Sequence, residues 1–120
     1  MEEVAHRLRA RVTESEWEES GFTGGVEHAW LLENDAGRPV AAANLTDFDG
    51  AAADVGVVVA ADARGRGYAA EVGSAAARHA VRTSGIARWR SVPGNAASRR
   101  TARRLGFQDG CIQLAILPSV

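Results

Sequence analysis

A chain of 120 residues is large enough for one hydrophobic core and too short for two, so residues 1–120 are expected to form a single domain. Hydrophobic residues make up 46% and charged residues 24%, with a formal net charge of -1, which excludes intrinsic disorder and gives no overall attraction to nucleic acid. All 14 Lys+Arg positions are arginine, and the single cysteine, Cys111, excludes an internal disulfide and reads as a small buried hydrophobe in a reducing compartment.

Val4, Ala5, Leu8 and Val12 at helical spacing predict an amphipathic helix from Glu2 to about Val12, with Arg7, Arg9 and Arg11 on its other faces. Thr13 three residues before Glu16, or Ser15 three before Glu18, would cap a second short helical turn through Trp17, ended by Gly21. Val26 to Glu33 alternates polar and apolar residues ahead of Asn34-Asp35-Ala36-Gly37, and Val40 to Leu45 follows, a β-hairpin. Pro39 has no N–H for a ladder and belongs at the first turn of its strand or on an edge. A second turn, Asp47-Phe48-Asp49-Gly50, leads into a third antiparallel strand from about Ala52 to Val59.

Val55 to Val59 is too short and too β-branched to start a helix, and Gly65 and Gly67 adopt backbone angles closed to other residues. Asp54 to Ala70 therefore reads as strand, tight loop and helix N-terminus. Such a junction aims free backbone N–H groups at one spot, at the positive end of the helix dipole and beside Arg64 and Arg66, and suits a phosphate or pyrophosphate. In the helix, Ala69, Val72, Gly73, Ala76 and Ala80 form a stripe of small residues for close packing on a sheet, opposite Glu71, Arg78 and Arg82, and Gly85 closes it. Ile86 to Val92 is the next strand, parallel to the one before because a helix intervenes. Pro93-Gly94-Asn95 makes a turn, and Asn95 caps a helix to Leu105 with Gly106 at the left-handed position and Phe107 folding back. A last strand spans about Cys111 to Leu117. These elements predict one α/β domain, with a mixed, twisted sheet of about five strands and helices on its faces.

Arg64-Gly65-Arg66-Gly67-Tyr68-Ala69 fits the pattern Arg-x-x-Gly-x-Ala, and Asp54-Val55-Gly56 precedes it on the strand. A second patch runs from Asn95-Ala96-Ala97-Ser98-Arg99-Arg100 to Arg103-Arg104-Leu105-Gly106-Phe107. In these two patches, in this order and spacing, the chain resembles the GNAT superfamily of N-acyltransferases, and within it the RimJ/RimL-type branch of N-terminal and small-amine acetyltransferases. The resemblance is firm from about Asp54 to Phe107 and loose from Trp30 to Leu45. Family members usually carry an extra strand and helix before anything matching Glu2 and a further strand beyond Leu117, so the chain reads as a GNAT domain shortened at both ends, where the acceptor side is normally walled.

The resemblance implies acetyl-CoA as the acetyl donor, with its pyrophosphate on Arg64, Gly65, Arg66, Gly67, Tyr68 and Ala69. It implies a pantetheine arm bonded to the exposed backbone of Val57 and Val59 and to Asn95, with an oxyanion donor N–H near Val58 or Val59. An amine would attack the thioester directly, without a covalent enzyme intermediate, and a carboxylate would take its proton. Asp54 is the first candidate, with Asp47 and Asp49 behind it; a strand-end aspartate in solvent, or paired with an arginine, is the plain structural alternative. The family's leaving-group tyrosine falls at Ala102, so Ser98 is the residue implied to return a proton to the sulfur. Arg99, Arg100, Arg103 and Arg104 place like charges at i, i+4 twice, at a cost of about 0.2–0.5 kcal/mol per pair that a CoA 3'-phosphate would relieve.

The same loop also satisfies Gly-x-Gly-x-x-Ala through Gly65, Gly67 and Ala70, a weak dinucleotide fingerprint, but no acidic residue lies between Glu71 and Asp109 to hold a ribose. The functional expectation is transfer of acetyl to a small-molecule or peptide primary amine. A catalytically degenerate acyl-CoA-binding module or assembly subunit is the alternative, and a dinucleotide-binding oxidoreductase a distant third. His6, His28 and His79 are scattered over different elements and imply no metal; Trp17, Trp30 and Trp89 belong in or beside the core. With no run of about 18 apolar residues and acidic residues directly after Met1, neither a membrane span nor a signal peptide is expected, and the location is cytoplasmic. An unpaired sheet edge would suit a homodimer.

Overall fold

The computed structural model describes residues 6–22, 24–90, 95–110 and 113–116. The hairpin forms where the sequence places it. The Asn34 Oδ1 accepts from the N–H groups of Ala36 and Arg38, both at 3.0 Å, and this side-chain turn joins β1 (Val26–Glu33) to β2 (Pro39–Phe48). β2 runs longer than the expected Val40 to Leu45, because Thr46, Asp47 and Phe48 continue the antiparallel ladder with Asp54, Ala52 and Ala51 of β3 (Ala51–Val59).

From β3 the chain crosses through α2 (Tyr68–Ser84) to β4 (Ala87–Arg90), which lies parallel to β3 with Asp54 opposite Arg88 and Val55 opposite Trp89. α3 (Ala96–Arg104) follows. The closing strand expected from about Cys111 to Leu117 is β6 (Gln113–Ile116), and a further short strand, β5 (Gln108–Gly110), precedes it, giving a mixed sheet in the order β1-β2-β3-β4-β6-β5. Cys111 and Leu117 lie outside the described residues, as do Pro93 and Gly94 of the expected turn.

Each face of the sheet carries its own core. On one face the small-residue stripe of α2, from Val72 and Gly73 to Ala80, meets Ala41, Ala43, Leu45 and Val55, with Trp89 and Phe107 completing the cluster. On the other, Leu8, Trp17, Phe22, Val40, Ala42 and Val58 pack together under α1 (Glu14–Glu19). α1 starts on a capping box: the Thr13 hydroxyl accepts from the Glu16 N–H at 3.1 Å and the Glu16 carboxylate accepts from the Thr13 N–H at 2.8 Å. Of the two caps the sequence offered, this is the one used.

The first predicted helix is corrected. Its described part, His6–Arg11, is a 3₁₀ turn, and Glu2 to Ala5 lie outside the described residues. Leu8 is the sole buried side chain described in that turn, and one anchor does not hold two α-helical turns against a sheet. Arg11 reaches away instead, to the Pro39 carbonyl and the Asp62 carboxylate. No described helix is long and apolar enough to cross a membrane.

Two glycines permit the closest approaches. A Cβ on Gly56 would stand 1.9 Å from the Ser20 carbonyl oxygen and 2.7 Å from the Asn44 Oδ1, while one on Gly73 would meet the Trp89 ring at 2.9 Å. The first obstacle is backbone, and the second is a buried indole ring approached at a distance about 1 Å longer. Gly56→Ala is therefore expected to cost about 3 kcal/mol or more and Gly73→Ala about 1–2 kcal/mol in urea denaturation; equal costs would mean that the Ser20 backbone yields freely.

Candidate active site

Among the described residues, β3 and β4 pair at Asp54–Arg88 and Val55–Trp89. Beyond that point the described ladder partners of Gly56 to Val59 all belong to β2, and a cleft of about 610 Å³ lies beside them. Val57, Val58 and Val59 line its floor, and their edge toward β4 has no strand partner among the described residues.

One wall is the turn into α2. Gly67 takes φ of +82° at the N-cap, a conformation that disfavours any side chain, and the first bond of the helix runs from the Glu71 N–H to the Gly67 carbonyl at 3.1 Å. The N–H groups of Tyr68, Ala69 and Ala70 are therefore left outside the helical ladder, at the positive end of a 17-residue helix that borders the cleft. A Cβ on Gly65 or Gly67 would meet nothing within 4 Å, so the loop backbone is open to a close ligand. Free donors, open backbone and a helix dipole together fit a pyrophosphate.

The opposite wall is α3. Asn95 caps it, its Oδ1 accepting from the Ser98 N–H at 3.0 Å. The Ser98 Oγ accepts from the Trp89 Nε1 at 2.9 Å. Since the indole N–H can only donate, this bond fixes the oxygen while leaving the Ser98 hydroxyl proton directed elsewhere. Arg100 and Arg104 also line this side, whereas Ala102 is wholly buried beneath it.

α1 spans the gap between the walls. The Glu16 carboxylate holds the Arg64 guanidinium, which also reaches the Val59 carbonyl at 3.3 Å, and the Glu19 Oε1 accepts from the Asn95 Nδ2 at 3.0 Å. Hydrogen bonding from the Thr13 backbone N–H, opposed by partial desolvation and aided by the Thr13 hydroxyl and Arg64, holds the Glu16 carboxyl below its ordinary range.

Of the residues singled out in the sequence, Val57, Val58 and Val59, the loop residues Arg64, Gly65, Gly67, Tyr68 and Ala69, and Asn95 and Ser98 meet around this cleft. Arg66 is exposed and stands outside the lining. Asp54 is 4% exposed, not a strand-end group in solvent, and lies at the closed end of the strand pair without lining the cleft. Glu16 and Glu19 were not among the sequence candidates. Their i, i+3 spacing puts them on one helical face, a signal in the sequence, but nothing local says which wall that face meets.

His28 and His79 lie on different elements, β1 and α2, and the fold brings their rings to 4.6 Å, with Trp30 5.5 Å from His79. No group of three or more His, Cys, Asp or Glu among the described residues could hold a metal.

Because folding lowers the Glu16 pKa from 4.5, its contribution to stability is complete above that value and is lost as pH falls through the lower folded value. Between about pH 5 and pH 3 the wild type should lose stability more steeply than Glu16→Gln, which keeps an acceptor for the Thr13 N–H. Parallel slopes in chemical denaturation would assign the acid sensitivity to other carboxylates.

Residues 1–108 match the family model of the acetyltransferase (GNAT) domain. A search of curated proteins finds no match. Among solved structures, the chain is similar to an acetyltransferase from Agrobacterium tumefaciens, with TM-score 0.59 and 20% identity over 72% of this chain and 57% of that one. It is similar to the ribosomal-protein-S18-alanine N-acetyltransferase of Escherichia coli, with TM-score 0.70 and 15% identity over 99% of this chain and 88% of that one. A third is the aminoglycoside N-acetyltransferase AAC(6')-Iy in complex with CoA, with TM-score 0.59 and 22% identity over 89% and 84%. The chain thus spans little more than half of the Agrobacterium protein and most of the other two. With a family model matched along nearly all of its length, on a sheet that opens beside a glycine-rich helix N-terminus, the chain belongs to the GNAT acetyltransferase family.

Proposed function

We propose that this protein is an N-acetyltransferase of the RimJ/RimL type that moves an acetyl group from acetyl-CoA, the donor used by GNAT acetyltransferases, to a primary amine. The observation that carries the reading is the convergence, on one cleft, of β3 backbone without a β4 partner among the described residues, free N–H groups of α2 and a Ser98 Oγ held by Trp89. Acetyl-CoA supplies an activated thioester. The residues of the chain do the rest by holding, orienting and moving protons.

The N–H groups of Tyr68, Ala69 and Ala70 and the open backbone at Gly65 and Gly67 take the pyrophosphate, and Arg64 adds its charge after leaving Glu16. The backbone from Val57 to Val59 hydrogen-bonds the amide arm and presents an N–H to the oxygen that gains charge as the new C–N bond forms and the C–S bond breaks. Ser98 hydrogen-bonds the departing thiolate and relays a proton to it while taking one up from solvent; with Ala102 buried, no other hydroxyl of α3 except Thr101 lines the cleft. Glu19, at the cleft, and Asp54, buried two residues before Gly56, are the carboxylates placed to accept the proton of the amine. Glu19 is the better placed of the two.

The second reading, a binding module without turnover, is favoured by one observation: in this structure Arg64 and Asn95 both hold carboxylates of α1. Calorimetry and turnover separate the two. Acetyl-CoA should bind the wild type, and Gly67→Trp, whose ring would fill the open loop, should abolish binding; its φ of +82° strains any side chain, so the melting temperature should fall while the transition stays cooperative. Glu16→Gln frees Arg64 from a surface pair worth about 0.2–1 kcal/mol and should tighten binding by up to about fivefold. Thiol release with a panel of amines then marks an enzyme, and tight binding without release marks a module. No binding to wild type at about 1 mM acetyl-CoA, the upper end of common KM values, would overturn both.

A further inference from the structure

Beside the cleft, at the closed end of the β3–β4 pair, Arg88 is left with an unmet demand. Its guanidinium carbon lies 3.4 Å from the centroid of the Phe48 ring, and its Nη1 is buried with no hydrogen-bond partner among the described residues. A buried charged donor without an acceptor is costly and rare in native proteins, so a group from outside the chain is the natural completion. A planar guanidinium with its stem fixed on a strand and its face on an aromatic ring presents a fork suited to a carboxylate.

The location decides whose carboxylate. Arg88 is in register with Asp54 across a parallel pair, so the two side chains share one face of the sheet. Two residues along β3, Gly56 turns the same face toward Ser20 of the α1 end, where the cleft begins. Arg88 does not itself line the cleft; a ligand with its nitrogen at the cleft floor beside Gly56 and an anionic group two strand residues away, roughly 7 Å, would bring that group to the level of Arg88. Phe48 borders the approach: it stands at the end of β2 beside the Asp49–Gly50 turn, is 36% exposed and belongs to neither core cluster.

We propose that Arg88 anchors a carboxylate of the acceptor, and that the acceptor is an amino acid or amino-acid-like amine with its carboxylate close to the reacting nitrogen. This rests on the acetyl-transfer reading of the cleft. Arg88 is here a binding residue for substrate; Phe48 is its aromatic wall.

The test uses product-like ligands that need no turnover. N-acetylalanine and N-acetylphenylalanine, and their carboxamides, are titrated calorimetrically into the full chain with and without CoA. In the wild type at least one acid should bind about ten- to a hundredfold more tightly than its amide, the range for a charge-assisted hydrogen bond. That advantage should vanish in Arg88→Gln, shrink in Arg88→Lys, and persist in Phe48→Leu, which keeps an apolar wall. Equal affinities for acid and amide in the wild type, no binding by either acid, or an acid advantage that survives Arg88→Gln would overturn the proposal. If Arg88→Gln does not fold, the lysine variant carries the comparison. A parallel acetyl-CoA titration keeps the two readings apart: acid preference without acetyl-CoA binding refutes acetyl transfer alone, and acetyl-CoA binding without acid preference refutes the carboxylate site alone.

Discussion

The contact between the Ser20 carbonyl and the Cα of Gly56 fixes the arrangement of everything near the cleft. No side chain fits between them, since a Cβ would stand 1.9 Å from the oxygen. Asn44, wholly buried on the neighbouring strand, donates its Nδ2 to the same carbonyl at 2.7 Å, so the oxygen is both pressed and satisfied. The end of α1 is thereby pinned to the middle of the sheet at the level where β3 leaves β4. Trp17, Phe22 and Leu8 pack beneath it, and the stacked rings of Trp17 and Phe22, 5.1 Å apart, give the short helix the apolar anchor its six residues would otherwise lack.

From that anchoring follows the electrostatic character of the cleft. The walls are supplied by two helix N-termini and several arginines, a positive environment suited to phosphate. α1 lays two carboxylates across it, one on Arg64 and one on Asn95. The walls are thus bridged by groups of the chain itself, and a phosphate-bearing ligand enters by exchanging one set of charge-assisted bonds for another.

Much of the fold can be read from residues close together in the sequence, because the bonds that make it are local. The capping box of Thr13 and Glu16, the Asn34 turn and the Asn95 cap each close within four residues. The end of α3 is another case: the N–H groups of Gly106 and Phe107 donate to the Arg103 and Ala102 carbonyls, both at 3.0 Å, and Phe107 folds back to 3% exposure. The stripe of small residues in α2 announced close packing on a sheet, and Gly73 against Trp89 is that packing. Where the local signal is weaker the structure departs from it: His6–Arg11 is a 3₁₀ turn instead of a helix, and a short strand at Gln108–Gly110 precedes the expected closing strand.

By itself, then, the sequence determined the α/β class, the strand-loop-helix junction from Asp54 to Ala70, and the Asn95–Ser98 cap, since each depends on backbone preferences and on partners a few residues apart. Tertiary structure alone decided where β3 and β4 part, that Glu16 and Glu19 face the cleft, that Asp54 is buried at its closed end, that His28 meets His79, and that Arg88 lies on Phe48. These are meetings of side chains from distant segments, set by strand register and by the crossing of helices over the sheet. A one-residue change of register would turn each of those strand side chains to the other face, so no local pattern can specify them.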